Sequence, residues 1–262
     1  MRPRRLTVTV AIALAVLSAC APAPRPALRD ELGAVVPAGR TRPHAPGDIQ
    51  AARMLARGGM LVAMSRTESL AVHAAPGTER PYMSLDADNP WGQRIRLLVL
   101  ADDADQEGDI WLRIQLPIWP NGQSGWVAAT DVWVDRAAER VLVDLSDRRL
   151  VRIRGGDEVT ELPVAIGAAS TPTPPGRYYV WAKVDTDRPT GPYGSFILGL
   201  SGFSEAIEPW IEWPGQPRLA IHGTDDTADA GRAVSKGCVR VLNALLAHLR
   251  DVPMGTPVVI RQ

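Results

Sequence analysis

The sequence predicts a mainly β protein in which two small domains follow an irregular N-terminal segment. Over residues 60–135 the chain consists of short apolar runs, each long enough for one strand, separated by Gly, Pro and Asp. In the following part of the chain apolar and polar residues alternate, first at Val141, Val143 and Leu145. This alternation has the period of a strand with one buried face. The 262 residues are enough for two modest domains.

Charge and composition exclude one class of function. The formal net charge is zero, so no overall field attracts nucleic acid or another polyanion. No nucleic-acid partner is therefore predicted. The hydrophobic fraction of 45% is that of an ordinary globular protein.

The N-terminus predicts export and lipidation. Arginines within the first five residues precede an apolar stretch over residues 6–17, which is too short to span a bilayer but suits a signal sequence. The stretch ends in Leu-Ser-Ala-Cys at Cys20 and resembles a bacterial lipobox. We therefore expect a lipoprotein signal peptide over residues 1–19 and a diacylglycerol on Cys20. The alternative is an ordinary signal peptide cleaved elsewhere. Residues 20–58, rich in Ala, Pro and Arg, predict a tether.

Residues 59–136 are predicted to form the first folded domain. The segments Ser-Leu-Ala-Val-His-Ala-Ala-Pro-Gly at residues 69–77, residues 108–117 and residues 123–134 resemble bacterial SH3-like modules, which are small β-barrels often attached to cell-wall enzymes. The tryptophans Trp111, Trp126 and Trp133 fit core or groove positions, and core packing is favoured. The predicted strands are residues 61–64, 70–72, 95–100, 111–116 and 125–127.

Residues 139–262 are predicted to form the second domain. Turns at residues 146–149 and 155–157 separate alternating segments and indicate a meander of antiparallel strands. One helix is predicted from leucines at helical spacing, with Asn243 as its N-cap. The leucines are Leu242, Leu245, Leu246 and Leu249.

A lone thiol with an upstream histidine is the main candidate site. If Cys20 is lipidated, Cys238 is left as a single unpaired cysteine in an oxidising compartment. Cysteine becomes a good nucleophile only as the thiolate, so it needs a base or a cation nearby. His222 is the candidate base. Taken alone, such a pair is more often a buried cysteine and a core histidine than a catalytic pair.

The residues around this pair resemble a known family. His222-Gly223-Thr224 is followed by Ser-x-Gly-Cys-x-Arg over residues 235–240. This resembles the catalytic signature of the L,D-transpeptidases with a YkuD-type domain, bacterial enzymes that cross-link peptidoglycan. The Thr-Pro-Thr-Pro-Pro-Gly segment at residues 171–176 and Gly-Pro-Tyr-Gly at residues 191–194 also match the family pattern. The resemblance covers roughly residues 140–261 and implies a β-sandwich domain with one or two short helices.

Together with the residue chemistry, the resemblance gives each site residue an expected role. Cys238 is expected to be the nucleophile and His222 the general base. The N–H groups of Gly237 and Cys238 are candidates for an oxyanion hole, and Gly237 also tolerates unusual backbone angles. Ser235 is expected either to orient His222 or to close the loop. Lys236 stands where many family members carry histidine.

Four further residues are expected to contact substrate. Arg240 shares the face of the nucleophile two residues away, where it could hold a substrate carboxylate or form a structural ion pair. The others are Gly223, Thr224 and Tyr193, and Gly223 is expected to allow a tight turn. The acidic residues at 225, 226 and 229 are interpreted as a solvated loop. A zinc site that combines one of them with the His/Cys pair lacks a second cysteine or histidine at ligand spacing, so no metal or cofactor is predicted.

The resemblance implies a reaction on peptidoglycan stem peptides. The thiol attacks the carbonyl before the terminal D-Ala, and an amine of a second stem then takes the acyl group. Attack by water would make the enzyme an L,D-carboxypeptidase, and attack by a protein amine would anchor that protein to the wall. A non-catalytic, lipid-anchored wall-binding protein is the alternative of a different class. A monomer that is anchored outside the cytoplasm, faces the cell wall and reacts with carbapenems is expected.

Overall fold

The structure is a computed structural model that describes residues 59–207 and 217–262. It is mainly β, as the sequence predicts. The predicted signal peptide (1–19), the lipidation site Cys20 and the tether (20–58) lie outside the described residues. Within the described ranges, no helix has both the length and the hydropathy needed to cross a membrane.

The N-terminal module, defined here as residues 61–136, contains an antiparallel sheet in the order β6-β5-β4-β1-β7. A separate hairpin pairs β2 with β3. The SH3-like character of this module remains a prediction. The strands are β1 (Leu61–Ser65), β2 (Ser69–Val72), β3 (Met83–Asp86), β4 (Leu97–Ala104), β5 (Ile110–Gln115), β6 (Ser124–Ala128) and β7 (Val132–Arg136).

The three tryptophans of this module differ in exposure. Trp111 is buried, and its indole N–H donates to Asp105 at 2.8 Å. Trp126 is partly buried. Trp133 is 49% exposed, and the guanidinium of Arg66 lies 3.6 Å from its ring centroid. Core packing is therefore confirmed for Trp111 and wrong for Trp133, because Trp133 points outward from a strand whose alternate residues are buried.

The C-terminal domain is a nine-stranded sheet in the order β14-β10-β15-β13-β12-β11-β16-β8-β9. The long strand β10 also pairs with β9, so the sheet closes on itself. The pairs β10–β14, β13–β15 and β16–β8 are parallel, which a simple antiparallel meander does not contain. The strands are β8 (Glu139–Asp144), β9 (Arg149–Arg154), β10 (Asp157–Gly167), β11 (Gly176–Asp185), β12 (Phe196–Phe203), β13 (Arg218–Thr224), β14 (Ala233–Ser235), β15 (Val239–Leu242) and β16 (Pro257–Arg261).

The predicted helix is present but shorter than its leucine spacing suggests. Helix α1 (Asn243–Leu246) continues as a 3-10 turn over Ala247–Leu249. The prediction of Asn243 as the N-cap is wrong, because Leu242 has the extended backbone of a cap and Asn243 is already helical. The side chain of Asn243 instead donates to the carbonyl of Gly191 at 2.9 Å, which ties the helix to the loop before β12.

The N-terminal module and strand β11 of the C-terminal domain share one hydrophobic cluster. Tyr179, Trp181 and Ala182 of β11 are buried in the cluster that also contains the apolar residues of the N-terminal sheet. A second cluster fills the interior of the C-terminal domain. Strand β11 is therefore packed on both faces, since alternate residues of one strand point to opposite sides. This arrangement fixes the N-terminal module against the sheet that carries the candidate site.

Candidate active site

The predicted base lies on β13, and the predicted nucleophile directly precedes β15, the parallel neighbour of β13. His222 of β13 is the register partner of Arg240 of β15. Cys238 directly precedes β15 and is two residues from Arg240, so in an extended chain both side chains point to one face. The backbone of Ala220 hydrogen-bonds to the Cys238 thiol, which places the sulfur beside the residue two positions before His222. The structure thus brings the two predicted residues to the same face of one strand pair.

Cys238 rests as a thiol. Burial raises the pKa of the Cys238 thiol, and the hydrogen bond from Ala220 and the positive charge of Arg240 offset this effect only in part. The residue as a whole is nevertheless partly exposed. A cysteine of this kind needs a base to accept its proton at the moment of attack.

His222 has the protonation state that such a base requires. The ring is buried, with Nδ1 at 2.7 Å from the carbonyl oxygen of Gly223. Since a carbonyl only accepts, Nδ1 carries the hydrogen and Nε2 is left with its lone pair. Burial lowers the pKa of His222 to about 4, and the charge of Arg240 lowers it further, while hydrogen bonds to the backbone of Gly223 and Pro192 and the charge of Asp229 oppose the shift. The imidazole is therefore neutral at pH 7.

The loop before β12 forms one side of the histidine environment. The ring of Tyr193 lies 4.9 Å from the ring of His222, and 44% of the Tyr193 side chain is exposed. Its carbonyl accepts a hydrogen bond from the N–H of Gly223 at 2.8 Å. A Cβ on Gly223 would lie 2.6 Å from the Cα of Gly194 and 2.1 Å from the Asn243 side chain. Gly223 is thus needed for this close approach and not for the expected turn, because it lies inside a strand.

Arg240 is held by an aspartate that the sequence analysis assigned to a solvated loop. Asp229 is buried, and its Oδ2 accepts from Arg240 at 3.0 Å and from the Thr224 hydroxyl at 2.8 Å. Asp225 and Asp226 are exposed as expected. The ion-pair alternative for Arg240 is therefore present, although the side chain remains 31% exposed. Thr224 is buried and its hydroxyl is engaged by Asp229, and its contact with substrate stays a prediction.

Ser235 closes the nucleophile loop, defined here as residues 235–238. Its hydroxyl donates to the carbonyl of Cys238 at 2.5 Å and accepts from the N–H of Gly237 at 3.1 Å. Of the two roles left open for Ser235, loop closure is the one found. The N–H of Gly237 bonds to Ser235 in this structure, and the use of the Gly237 and Cys238 N–H groups in an oxyanion hole stays a prediction.

The Thr-Pro segment supports the same loop from outside. The Thr171 hydroxyl donates to the carbonyl of Ser235 at 3.0 Å, and the N–H of Ala168 donates to the same oxygen at 2.8 Å. The hydroxyl of Thr173 accepts from the N–H of Gly167 at 2.8 Å. Pro172 between these threonines, and the two prolines that follow Thr173, limit the backbone freedom of the segment. The segment therefore fixes the start of the nucleophile loop.

We expect Gly237→Ala to displace the nucleophile. Gly237 has φ +112°, and a Cβ there would lie 3.1 Å from Ser204 Oγ. The strain should lower the free energy of unfolding by about 2 kcal/mol and change the alkylation rate of Cys238. Gly231 is the control, because it also has a positive φ (+72°) but no atom within 4 Å of its Cβ position. Gly231→Ala should cost about 1 kcal/mol and leave the alkylation rate unchanged. Equal alkylation rates in both variants would contradict this expectation.

The described residues do not assemble a metal site. Over residues 59–207 and 217–262, no group of three or more His, Cys, Asp and Glu side chains is placed to hold an ion. His222 and Asp229 approach Arg240 instead, and the carboxylate of Asp229 is used by the guanidinium.

A partly exposed cysteine and a neutral imidazole on one face of a parallel strand pair form an arrangement suited to cysteine-based acyl transfer. Comparison with known proteins agrees with this class. A family model for the L,D-transpeptidase catalytic domain, YkuD, matches residues 138–260. The Bacillus licheniformis protein YkuD is 32% identical over 127 residues, which are 48% of this chain and 67% of the relative. The chain belongs to the L,D-transpeptidase family.

Other relatives are matched over smaller shares. The Bacillus subtilis protein YkuD is 36% identical over 102 residues, which are 38% of this chain and 52% of the relative, so the chain spans about half of its length. Among solved structures, an L,D-transpeptidase of Mycobacterium tuberculosis has 14% identity and a TM-score of 0.40, covering 59% of this chain and 90% of its own. An Enterococcus faecium L,D-transpeptidase has 20% identity and a TM-score of 0.37, covering 49% and 55%. The family assignment rests on the sequence matches.

Proposed function

We propose that this protein is a peptidoglycan L,D-transpeptidase that uses Cys238 as its nucleophile and His222 as its general base. The observation that carries the proposal is the placement of both residues on one face of β13 and β15, with His222 neutral at pH 7. Membership of the family supplies the substrate class, which is the stem peptide of peptidoglycan.

The reaction begins when substrate reaches the exposed side of Cys238. Nε2 of His222 accepts the thiol proton while the sulfur attacks the carbonyl before the terminal D-Ala, and the C–N bond of that residue breaks. The departing amine takes the proton from the imidazolium, and a thioester remains on Cys238. An amine from a second stem then attacks the thioester, its proton passes to His222 and on to the thiolate, and the product links the third residues of two stems.

Arg240 and Tyr193 are the residues that we propose to contact substrate. Both are partly exposed beside the pair, the first as a cation and the second as an aromatic surface. Asp229 holds one nitrogen of Arg240, and the side chain remains 31% exposed. A stem peptide ends in a carboxylate, which a guanidinium of this kind binds well.

Incubation of the protein with purified sacculi tests the reaction. Mass spectrometry of the released muropeptides should show dimers linked between third residues, together with free D-Ala. Tripeptide stems without dimers would identify an L,D-carboxypeptidase, and muropeptides carrying protein fragments would identify protein anchoring. Unchanged muropeptides from folded, reduced protein would favour a non-catalytic wall-binding protein and contradict the proposal.

We further propose that the mature protein is anchored to the cell membrane or outer membrane through Cys20 and acts as a monomer facing the wall. The motif at residues 17–20 supports this, because cleavage before Cys20 would free that residue for lipidation. Cys20→Ala should leave an unprocessed precursor, whereas Cys238→Ala should be processed as the wild type is. The check is the mass and membrane partition of each protein expressed in a bacterium, and a soluble mature form beginning elsewhere would refute the anchor.

A further inference from the structure

The connection between β5 and β6, residues 116–123, projects from the sheet of the N-terminal module and contacts the end of β12. The side-chain amide of Asn121 donates to the carbonyl of Phe203 at 2.9 Å, and its oxygen accepts from the N–H of Phe203 at 2.8 Å. The register between β11 and β12 reaches only the pair Val180 and Leu200 at this end. Phe203 lies beyond the part of β12 that pairs with β11. Asn121 therefore supplies the hydrogen bonds that a neighbouring strand would otherwise give to the backbone of Phe203.

The residue after Phe203 contacts the nucleophile loop. Ser204 is buried, and its Oγ lies 3.5 Å from the carbonyl oxygen of Lys236. The same Oγ is 3.1 Å from the position that a Cβ on Gly237 would occupy. Ser204 therefore backs the two residues that precede Cys238. The pair formed by residues 203 and 204 touches the N-terminal module on one side and the nucleophile loop on the other.

The same connection also holds the strand of the base. Arg218 lies on β13, four residues before His222, and donates to the carbonyl of Pro117 at 3.3 Å. Its guanidinium is stacked on the rings of Trp181 and Phe203, at 3.7 and 4.3 Å from their centroids. Burial lowers the pKa of Arg218 to about 10, so the group is still charged at pH 7. Residues 116–123 thus contact β13, the strand of the proposed base, and the end of β12, which adjoins the nucleophile loop through Ser204.

We propose that Asn121 of the N-terminal module is a positioning residue for Cys238. By fixing the backbone of Phe203, it fixes Ser204 behind Lys236 and Gly237 and so sets where the thiol stands. This inference goes beyond the proposed function, because it makes the N-terminal module a part of the active site. Its consequence for catalysis rests on the proposed function, in which Cys238 is the nucleophile. The geometric claim concerns the reactivity of the thiol itself.

Gln93 offers a matched control. Its side-chain amide donates to the carbonyl of Lys183 at 2.6 Å and accepts from the N–H of Lys183 at 3.0 Å, so it also pairs with one backbone residue across the same interface. Lys183 lies on β11, which is separated from β15 by β12 and β13. Gln93→Ala therefore removes the same kind of contact from a place that does not adjoin the nucleophile loop.

The test compares Asn121→Ala with Gln93→Ala in the full chain. The readouts are the thermal unfolding midpoint and the rate at which iodoacetamide alkylates Cys238 across pH 5 to 10, with the modified residue assigned by peptide mass. Both variants should lower the midpoint by similar amounts. Only Asn121→Ala should change the alkylation rate of Cys238, by about fivefold or more, and shift the midpoint of its pH profile.

A milder variant guards against loss of folding. Asn121→Gln keeps both the donor and the acceptor of the amide and displaces them by one methylene, so it should show a smaller change in the same direction; Asp is unsuitable, because the amide also donates to the Glu205 carboxylate at 3.0 Å. Equal alkylation profiles for Gln93→Ala and both Asn121 variants would overturn the proposal. This outcome is independent of the muropeptide assay, because alkylation reports the environment of the thiol whether or not the protein transfers acyl groups.

Discussion

The Cys238→Ala variant is expected to fold normally and to lose acyl transfer completely, with a fall in rate of about 10⁴-fold or more. The change removes the proposed nucleophile and only one sulfur atom of volume, at a partly exposed position. A carbapenem is a sharp probe, because opening of its strained ring by a thiol adds the mass of one inhibitor to the chain. The wild type should gain this mass on Cys238, and Cys238→Ala should gain none.

The second cysteine of the sequence provides the control for this experiment. Cys20→Ala removes the other thiol and should leave the adduct on Cys238 unchanged in mass and rate. Circular dichroism and the unfolding midpoint would show whether each variant is folded. Retained transfer, or an adduct on folded Cys238→Ala, would rule out Cys238 as the nucleophile.

The His222→Ala variant is expected to form the same adduct 10²- to 10⁴-fold more slowly, a range typical for the loss of a general base. The pH dependence of the wild-type rate should also report the pKa of His222. Because burial lowers the pKa of His222 to about 4, the imidazole stays neutral and able to accept a proton down to that pH. The rate should therefore fall as the pH drops through about 4, and not through the value near 6.5 of an exposed histidine.

A second histidine separates this effect from a general loss of charge or stability. His248 is exposed on the 3-10 turn after α1, so His248→Ala should leave both the rate and its pH dependence unchanged. His222→Ala should lose the acid limb near pH 4 as well as the rate. An identical pH profile in wild type and His222→Ala would exclude His222 as the base.

Much of the fold could be predicted because buried apolar residues mark strands. Strands β1, β2, β5 and β6 coincide with predicted apolar runs to within two residues at each end. Strand β3 was not predicted, since it has only four residues and its two apolar residues, Met83 and Leu85, are only partly buried against the core. The parallel pairs were also missed, because alternation along one strand does not indicate the direction of its neighbour.

The candidate site was predictable where a motif defines a residue and less so where folding decides its partner. Cys238 and His222 stand out in the sequence and come to one face of the sheet. Asp229 resembles its exposed neighbours in sequence, and only the 3-10 turn at residues 227–229 carries it inward to Arg240. The partner of Asn243 is also decided by folding. The helix follows β15 without a gap, and the side chain of Asn243 bonds to Gly191 instead of capping the helix.

The core shared by β11 and the N-terminal module limits how this chain can change by recombination. Tyr179 and Trp181 have one side of their environment supplied by residues more than forty positions earlier in the chain. A catalytic domain inherited without that module would have to replace these large aromatic residues or expose them to water. The amides of Gln93 and Asn121 would have to be matched by any new neighbour as well. The two halves are therefore expected to be inherited together, with substitutions at their boundary occurring in compensating pairs.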